Sequence, residues 1–459
     1  MYVDINAIKN RLGIRSVRTF SGGAHPDDSK SDTNEKPIIN IPAPEVLVFP
    51  LSQHIGAPAV PCVKVGDRVL LGQKIAEAGG YVSANIHSSV SGTVKAIEDR
   101  MHPGGAYVRS IVIENDGLDE RCPDIKKFEG AWPSPEETVN TVREAGIVGM
   151  GGATFPTHVK LSPPEDKKIE YIIVNGAECE PYLTSDHREM LENPYEVIDG
   201  LRLIMNVFGL KKGYVGIETN KANAIEAMTL AASKENDVDI EIVPVWTKYP
   251  QGSEKQLIDA ISGRRVPPGK LPMDVGAIVD NVDTCAAIAR AVRFGTPLTE
   301  RIVTVGGDCV KNPANLRVRI GTPFSYAIEK CGGLTKNAEK IIMGGPMMGL
   351  AVSSLDVPII KGTSGILVFS KEMCAEHKKY PCLRCGKCVD GCPMHLLPNA
   401  LKDAADKEDF ETLERLNISD CISCGSCTFI CPAERNPLAS IRTGKTKLNS
   451  HRKKEAEGR

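Results

Sequence analysis

Eight of the chain's fifteen cysteines fall into two copies of one run. "CLRCGKCVDGCP" supplies Cys382, Cys385, Cys388 and Cys392 with Pro393 behind them, and "CISCGSCTFICP" supplies Cys421, Cys424, Cys427 and Cys431 with Pro432. The spacing C-x2-C-x2-C-x3-C-P lets three close thiolates wrap one iron–sulfur cubane while the fourth reaches across to a second. One [4Fe-4S] cluster is therefore expected on Cys382, Cys385, Cys388 and Cys431, the other on Cys421, Cys424, Cys427 and Cys392. Two structural zinc knuckles are the alternative, but zinc sites normally use separated ligand pairs and have no use for a proline after each fourth cysteine. Cys62, Cys122, Cys179, Cys285, Cys309, Cys331 and Cys374 stand singly and read mostly as small buried apolar residues. Cys374 with His377 offers too few ligands for a third metal site.

A different chemistry is written in "GIVGMGGATFPTHVK", residues 146–160. Gly149, Gly151 and Gly152 can bring backbone amides close to an anion, and Lys160 can add a point charge. This is not a dinucleotide fingerprint: Thr154 stands where a third glycine belongs, and the preceding "SPEETVNTVREAG" reads as a Ser-capped helix rather than a strand. Nor is it a Walker loop, because no Gly-Lys-Ser/Thr follows. The residues alone leave a phosphate cradle and a flexible turn both open. "KIEYIIVNGAECEP" is a β-branched run ending in an acidic loop with Asn175, Glu178 and Glu180; the alternative there is turn acids facing water.

The elements that must position these residues come from a chain of 459 residues, long enough for about three or more domains. Its 56 basic and 58 acidic residues leave a net charge of −2, which gives no footing for nucleic acid. No apolar run approaches the roughly 20 residues that span a bilayer, and "MYVDINAIKNRLG" lacks a signal peptide's apolar stretch. The expected place is the cytoplasm, with membrane attachment only through partners. Fifteen cysteines then argue for metal or redox chemistry over disulfides. Residues 45–115 read as β, and "VKVGDRVLLGQKIAE" with "SSVSGTVKAI" resemble the halves of a biotinyl/lipoyl-type barrel sandwich. Gly79 and Gly80 replace the lysine that would hold a swinging arm, so the domain is expected to dock or pack and to carry nothing. Residues 120–297 alternate helix and strand, an α/β layer whose ligands belong at the carboxyl ends of its strands. Between the cysteine runs, Leu401, Ala404, Ala405, Phe410, Leu413 and Leu416 fall near helical spacing, which predicts a helical cluster domain.

Three separated motifs, "GMGGATFPTHVK", "VNGAECEPYLTSDHRE" and "YPQGSEKQLIDAISGRR…VDNVDT", resemble in order and spacing the flavin- and NADH-binding subunit of respiratory complex I. With "FSGGAHP", the barrel-sandwich segment and the paired cysteine runs, nearly the whole chain is similar to the C subunit of the Rnf-type electron-transport complexes. The resemblance implies a multidomain α/β and α+β protein: an N-terminal segment 1–44, barrel sandwich 45–119, FMN/NADH domain 120–297, β-grasp (SLBB) domain 298–372, a helical 2[4Fe-4S] ferredoxin-type domain 373–438, and a basic polar tail 439–459. It implies that Gly149, Gly151 and Gly152 present amides to the FMN phosphate with Lys160 as counter-charge. Asn175 and Glu178 would line the isoalloxazine, and Gly252, Asn281 and Thr284 would close the pocket. Phe155 would stack on the adenine of NADH, Glu180 and Glu254 would hold the nicotinamide side, and Lys270 would meet the cofactor's ribose or phosphate. Met150, Ala177, Cys179 and Ser253 depart from the complex I pattern, where an arginine, an aspartate, a serine and a glutamate stand.

The implied function is that of a peripheral subunit, on the cytoplasmic face, of a membrane-bound ferredoxin:NAD+ oxidoreductase coupled to Na+ or H+ transport. Hydride would pass between NAD(H) and FMN without a protein acid or base, and two [4Fe-4S] clusters would relay single electrons to the other subunits. The alternatives are a diaphorase subunit of a soluble hydrogenase or formate dehydrogenase, and a non-catalytic iron–sulfur scaffold. The tail "RTGKTKLNSHRKKEAEGR" shows no apolar periodicity and is expected to be a solvated, disordered end.

Overall fold

The computed structural model describes residues 16–123, 127–128, 132–374 and 378–457. The stretch "MYVDINAIKNRLG" and His377 lie outside the described residues. Strands β1 (Val46–Pro50), β2 (Gly92–Met101) and β3 (Tyr107–Asn115) form an antiparallel sheet with Arg68–Val69, accompanied by a smaller sheet of Val60–Pro61, Lys74–Glu77 and Ile86–His87. Leu47, Phe49, Ile75, Ile86, Ile111 and Ile113 from both sheets share one buried core, as a sandwich requires. Gly79 lies between Lys74–Glu77 and Ile86–His87, and a Cβ there would meet the Pro58 carbonyl oxygen at 2.1 Å. No carrier lysine fits that position.

The central domain is a parallel sheet of β4 (Tyr171–Gly176), β5 (Lys212–Glu218), β6 (Asp239–Val245) and β7 (Ala277–Asn281), in the order β6-β5-β4-β7. Helices α1 (Pro135–Glu144), α2 (Ser185–Glu192), α3 (Pro194–Val207), α4 (Ala222–Ala232), α5 (Glu254–Ser262) and α6 (Val282–Phe294) surround it. The β-branched run at β4 follows from burial on both faces: Ile172 and Val174 enter one apolar core, Ile173 a second one with Leu257 and Ile261 of α5. α1 starts as its sequence predicts, with Pro135 in the first turn and a reciprocal cap in which Glu137 N donates to Ser134 Oγ at 3.2 Å and Ser134 N to Glu137 Oε2 at 2.9 Å. From β4 the chain builds outward to β6 and then returns to the other side of β4 as β7. The strand order therefore reverses between β4 and β7, and a crevice is expected at their carboxyl ends.

A six-stranded sheet follows, with β8 (Glu300–Gly306), β9 (Ala314–Arg319), β10 (Lys340–Met343) and β11 (Gly365–Phe369) inside it and Ile39–Asn40 and Leu350–Val352 at its edges. Helices α7 (Pro398–Asp406), α8 (Phe410–Arg415) and α9 (Pro437–Glu457) build the cluster domain, where Leu401, Ala404, Ala405 and Leu413 are buried at the expected spacing. The tail is a correction: it is not a disordered end but the 21-residue helix α9. Ile441 and Leu448, seven residues apart on one face, are buried in the cluster-domain core. Three of its basic residues hold it to the domain: Lys445 Nζ donates to Ser419 O at 2.9 Å and Cys421 O at 3.0 Å, and Lys447 and Arg452 pair with Glu408 and Glu414. Two apolar anchors give too weak a pattern to read, and charge pairing replaces the missing apolar surface.

Candidate functional site

Asn175 and Asn281 are register neighbours at the carboxyl ends of β4 and β7. Asn175 Nδ2 donates to Gly252 O at 2.7 Å while its Oδ1 accepts from Ala177 N at 3.2 Å, and Gly252 N donates to Cys179 Sγ at 3.2 Å. Asn281 caps α6 by accepting from Asp283 N at 2.9 Å, and its Nδ2 donates to Asp186 Oδ2 at 2.7 Å. Met150 N donates to Thr284 Oγ1 at 2.9 Å, which pins the glycine loop against the first turn of α6. Gly149 N donates to Phe155 O at 2.8 Å and closes the loop. Among the three glycines only Gly151 needs a left-handed backbone, φ +81°, and a Cβ there would stand 2.9 Å from Asn281 Nδ2. The corresponding position of Gly152 meets nothing within 4 Å. An exposed backbone tip with room before it, beside a helix N-terminus, fits a phosphate.

The charged candidates are more occupied than their sequence suggests. Lys160 Nζ donates to Val279 O at 2.6 Å and Asp280 Oδ1 at 3.0 Å, and lies 4.0 Å from Glu254, which is half exposed in the first turn of α5. Burial pulls the ammonium down, but Asp280 and Glu254 outweigh it and hold its pKa above the usual value. Glu178 caps α2, accepting from Asp186 N at 2.8 Å and His187 N at 3.3 Å. Glu180 accepts from Met347 N at 3.0 Å and Met348 N at 2.8 Å in the loop after β10, and burial lifts its carboxyl above the ordinary range. Both acids thus serve backbone amides first. Phe155 is half buried beside the loop. Lys270 is exposed in the turn from Pro267 to Leu271, before the amino end of β7, and Gly269 N in that turn donates to Asp420 Oδ1 at 3.2 Å. The length of β7 separates it from the strand ends where the other candidates gather. A wide surface depression of ≈ 400 Å³ at this amino end, around Lys168 and Arg264, holds none of the candidate residues.

Five residues escaped sequence reasoning because isolated cations, a lone tyrosine and a lone glutamine carry no pattern. Lys221, fully buried, donates to Ala177 O at 2.7 Å and to Glu218 at 3.1 Å; Lys30 binds the same acidic loop. Arg301 of β8 pairs with buried Asp283 and reaches Met150 Sδ, so a guanidinium arrives from another domain where the loop itself has none. Tyr249 Oη donates to Cys424 O at 2.7 Å, and Gln256 Nε2 of α5 to Pro393 O at 3.1 Å.

The cysteines separate into an inner and an outer set. A cavity is lined by Cys392, Cys421, Cys424 and Cys427 together with Leu401 and Ile441, so the fourth cysteine of the first run meets the first three of the second. Burial raises the Cys388 thiol, and Cys382 and Cys431 raise it further; Cys427 is pushed up to about 12 by burial first and then by Cys424, Cys421 and Cys392. Among the described residues no three His, Cys, Asp or Glu side chains come together tightly enough for a single ion. An apolar-walled hollow ringed by four thiols fits a cubane. Cys382 and Cys385 are exposed, while Cys392, Cys424 and Cys427 are buried. The inner set is the one that Tyr249 and Gln256 fasten to the nucleotide domain.

Models of known families match in four consecutive stretches: the RnfC barrel sandwich hybrid domain over 18–118, the Nuo51 FMN-binding domain over 142–290, the SLBB domain over 302–351 and a 4Fe-4S dicluster domain over 375–450. The C subunit of the proton-translocating ferredoxin:NAD(+) oxidoreductase complex of Clostridium ljungdahlii is 49% identical over 93% of either chain. The chain belongs to the RnfC family of ion-translocating oxidoreductase complexes. The Na(+)-translocating counterpart of Acetobacterium woodii is 47% identical over 95% of this chain and 98% of its own, and the ion-translocating counterpart of Rhodobacter capsulatus 44% over 88% and 78%. Among solved structures, an NAD+-reducing [NiFe]-hydrogenase in the air-oxidized state shares 21% identity over 69% of this chain and 63% of that one, with a TM-score of 0.49. As an RnfC family member, the chain is an oxidoreductase subunit with FMN and two [4Fe-4S] clusters as cofactors, and its partners are the other subunits of its complex. No helix among the described residues is long and apolar enough to cross a membrane.

Proposed function

We propose that this RnfC chain exchanges hydride between NAD(H) and FMN at the carboxyl ends of β4 and β7, and joins that site to its partners through two sets of cysteines. The carrying observation is the meeting of Asn175, Asn281, Gly252 and the Thr284-pinned glycine loop at the point where the strand order reverses. When bound, FMN supplies the hydride chemistry and the clusters carry single electrons. The chain's residues orient and hold. The amides of Gly151 and Gly152 and the N-terminus of α6 receive the phosphate, with the Lys160 ammonium just behind Gly149. Asn175 and Gly252 border the ring, while Glu180 and Glu254 set the charge on the nicotinamide side and Phe155 offers its face to the adenine. Cys392, Cys421, Cys424 and Cys427 hold the cluster nearer the nucleotide domain; Cys382, Cys385, Cys388 and Cys431 hold the one that faces the partner subunits.

Together these support a ferredoxin:NAD+ oxidoreductase role coupled to ion transport, with the chain on the cytoplasmic face where NAD(H) is found. Two relatives of nearly equal identity are named for different ions, so the resemblance carries no choice of ion. Gly151→Val tests the site. A β-branched residue at φ +81° that also displaces Asn281 is expected to abolish flavin absorbance in the purified chain and leave about eight iron per chain. Full FMN content in that variant refutes the phosphate role of the loop.

A further inference from the structure

Residues 18–34, which include the "FSGGAHP" stretch, run as a strap from Pro244 to Thr184. Arg18 N donates to Pro244 O at 3.0 Å, Ala24 and Tyr249 exchange backbone hydrogen bonds of 2.7 and 2.9 Å, and Gly23 N donates to Gly391 O at 3.0 Å beside Cys392. Further on, Tyr182 N donates to Asp28 O at 2.8 Å, and Thr33 Oγ1 meets Thr184 Oγ1 at 2.7 Å. Between these two anchors the Lys30 side chain is buried. Its Nζ donates to Glu178 O at 3.0 Å, Glu180 O at 2.9 Å and Leu183 O. An ammonium has three donors, and all three are spent on one loop.

That loop needs holding. Glu178 and Tyr182 both take left-handed backbones, φ +50° and +68°, which non-glycine residues adopt only where their surroundings enforce it. Its carboxylates also depend on the loop's path, because Glu178 must reach the first turn of α2 and Glu180 the amides of Met347 and Met348. We propose that Lys30 is a positioning residue of the nucleotide site: its ammonium, seated in a cage of three carbonyls, fixes the acidic loop and with it the placement of Glu178 and Glu180. Lys221 holds the preceding carbonyl, that of Ala177, from the other side. The ammonium is the form that fills the cage, since a neutral amine keeps two donors and leaves one carbonyl without a partner, and an apolar side chain leaves all three.

The inference rests on the assignment of the acidic loop to the nicotinamide side, and the test separates the two. In the full-length protein carrying its cofactors, Lys30→Met is compared with Glu180→Gln and with the exposed-lysine control Lys168→Met, using NADH and an artificial acceptor. Lys30→Met is expected to raise KM for NADH about tenfold with a much smaller change in kcat, to speed amide exchange in the peptide spanning residues 176–184, and to leave iron content unchanged. Lys168→Met should match the wild type. If Lys30→Met does not fold, Lys30→Gln, which keeps two N–H donors but no charge, gives the same readings in weaker form. A raised KM in Glu180→Gln with wild-type KM and exchange in the Lys30 variants overturns the positioning role. An unchanged KM in Glu180→Gln overturns the loop assignment instead, and accelerated exchange of 176–184 in Lys30→Met then still reports the cage.

Discussion

The nucleotide domain is joined to its neighbours along two seams built from opposite materials. Toward the barrel sandwich and the β-grasp sheet the seam is ionic: buried Lys361 donates to the carbonyls of Asn85 and Gly146, and buried Arg301 pairs with Asp283. Toward the cluster domain the buried side-chain contacts are neutral, a phenol on Cys424 O and an amide on Pro393 O. Charge beside an iron–sulfur cluster shifts its reduction potential, as do hydrogen bonds and solvent. The phenol and the amide bring no charge to the inner set, whose cation, Lys445 on Cys421 O, comes from the cluster domain itself.

Leu448→Ala breaks the contrast most strongly from the cluster side. As a core anchor of α9 this leucine should cost about 2–5 kcal/mol of cluster-domain stability, read by thermal melting of the reconstituted protein. A solvated tail would lose almost nothing. The ionic seam predicts a pH signature of similar size. Burial lowers Lys361 from 10.5 to about 7, and His54 and His87 beside it are lowered too, first by burial and then by that lysine. Between about pH 7 and 10 the unfolded chain therefore keeps a proton that the folded chain has shed, so stability rises with pH through that window. Wild type should gain about 2–3 kcal/mol over Lys361→Met between pH 6 and 9, measured by denaturant unfolding at each pH. A pH-independent difference would mean that the lysine stays charged in its carbonyl pair. The smallest effect belongs to the neutral seam: Tyr249→Phe should cost about 1 kcal/mol, the same at pH 6 and 9.

The cysteine runs were legible because ligand spacing is local, and the cavity lined by Cys392 with Cys421, Cys424 and Cys427 gathers residues from both. The glycine loop and the acidic strand end could be seen as unusual stretches, but phosphate cradle and plain turn stayed equivalent until resemblance and then geometry joined them. Their meeting depends on the order of strands, which no single segment encodes. Lys30, Lys221 and Arg301 were invisible because a buried cation is defined by carbonyls and acids far away in sequence; Lys30 acts across roughly 150 residues. The place of Lys270, in the turn before β7, was hidden for the same reason, since a motif fixes neighbours in sequence and not the end of the sheet on which they fall. The tail misled because its buried face amounts to Ile441 and Leu448.

The central claim is that the hydride site stands by itself, with the inner cysteines next to it and the outer ones beyond. Cys385→Ser removes one exposed ligand from the outer set and touches neither Tyr249, Gln256 nor the glycine loop. Steady-state NADH oxidation by an artificial acceptor that takes electrons from flavin decides the matter, with iron and FMN counted in the same sample. The expected result is about four iron per chain, full FMN and a wild-type rate, with electron exchange to the partner subunits lost. Loss of NADH oxidation while FMN remains bound would contradict the account.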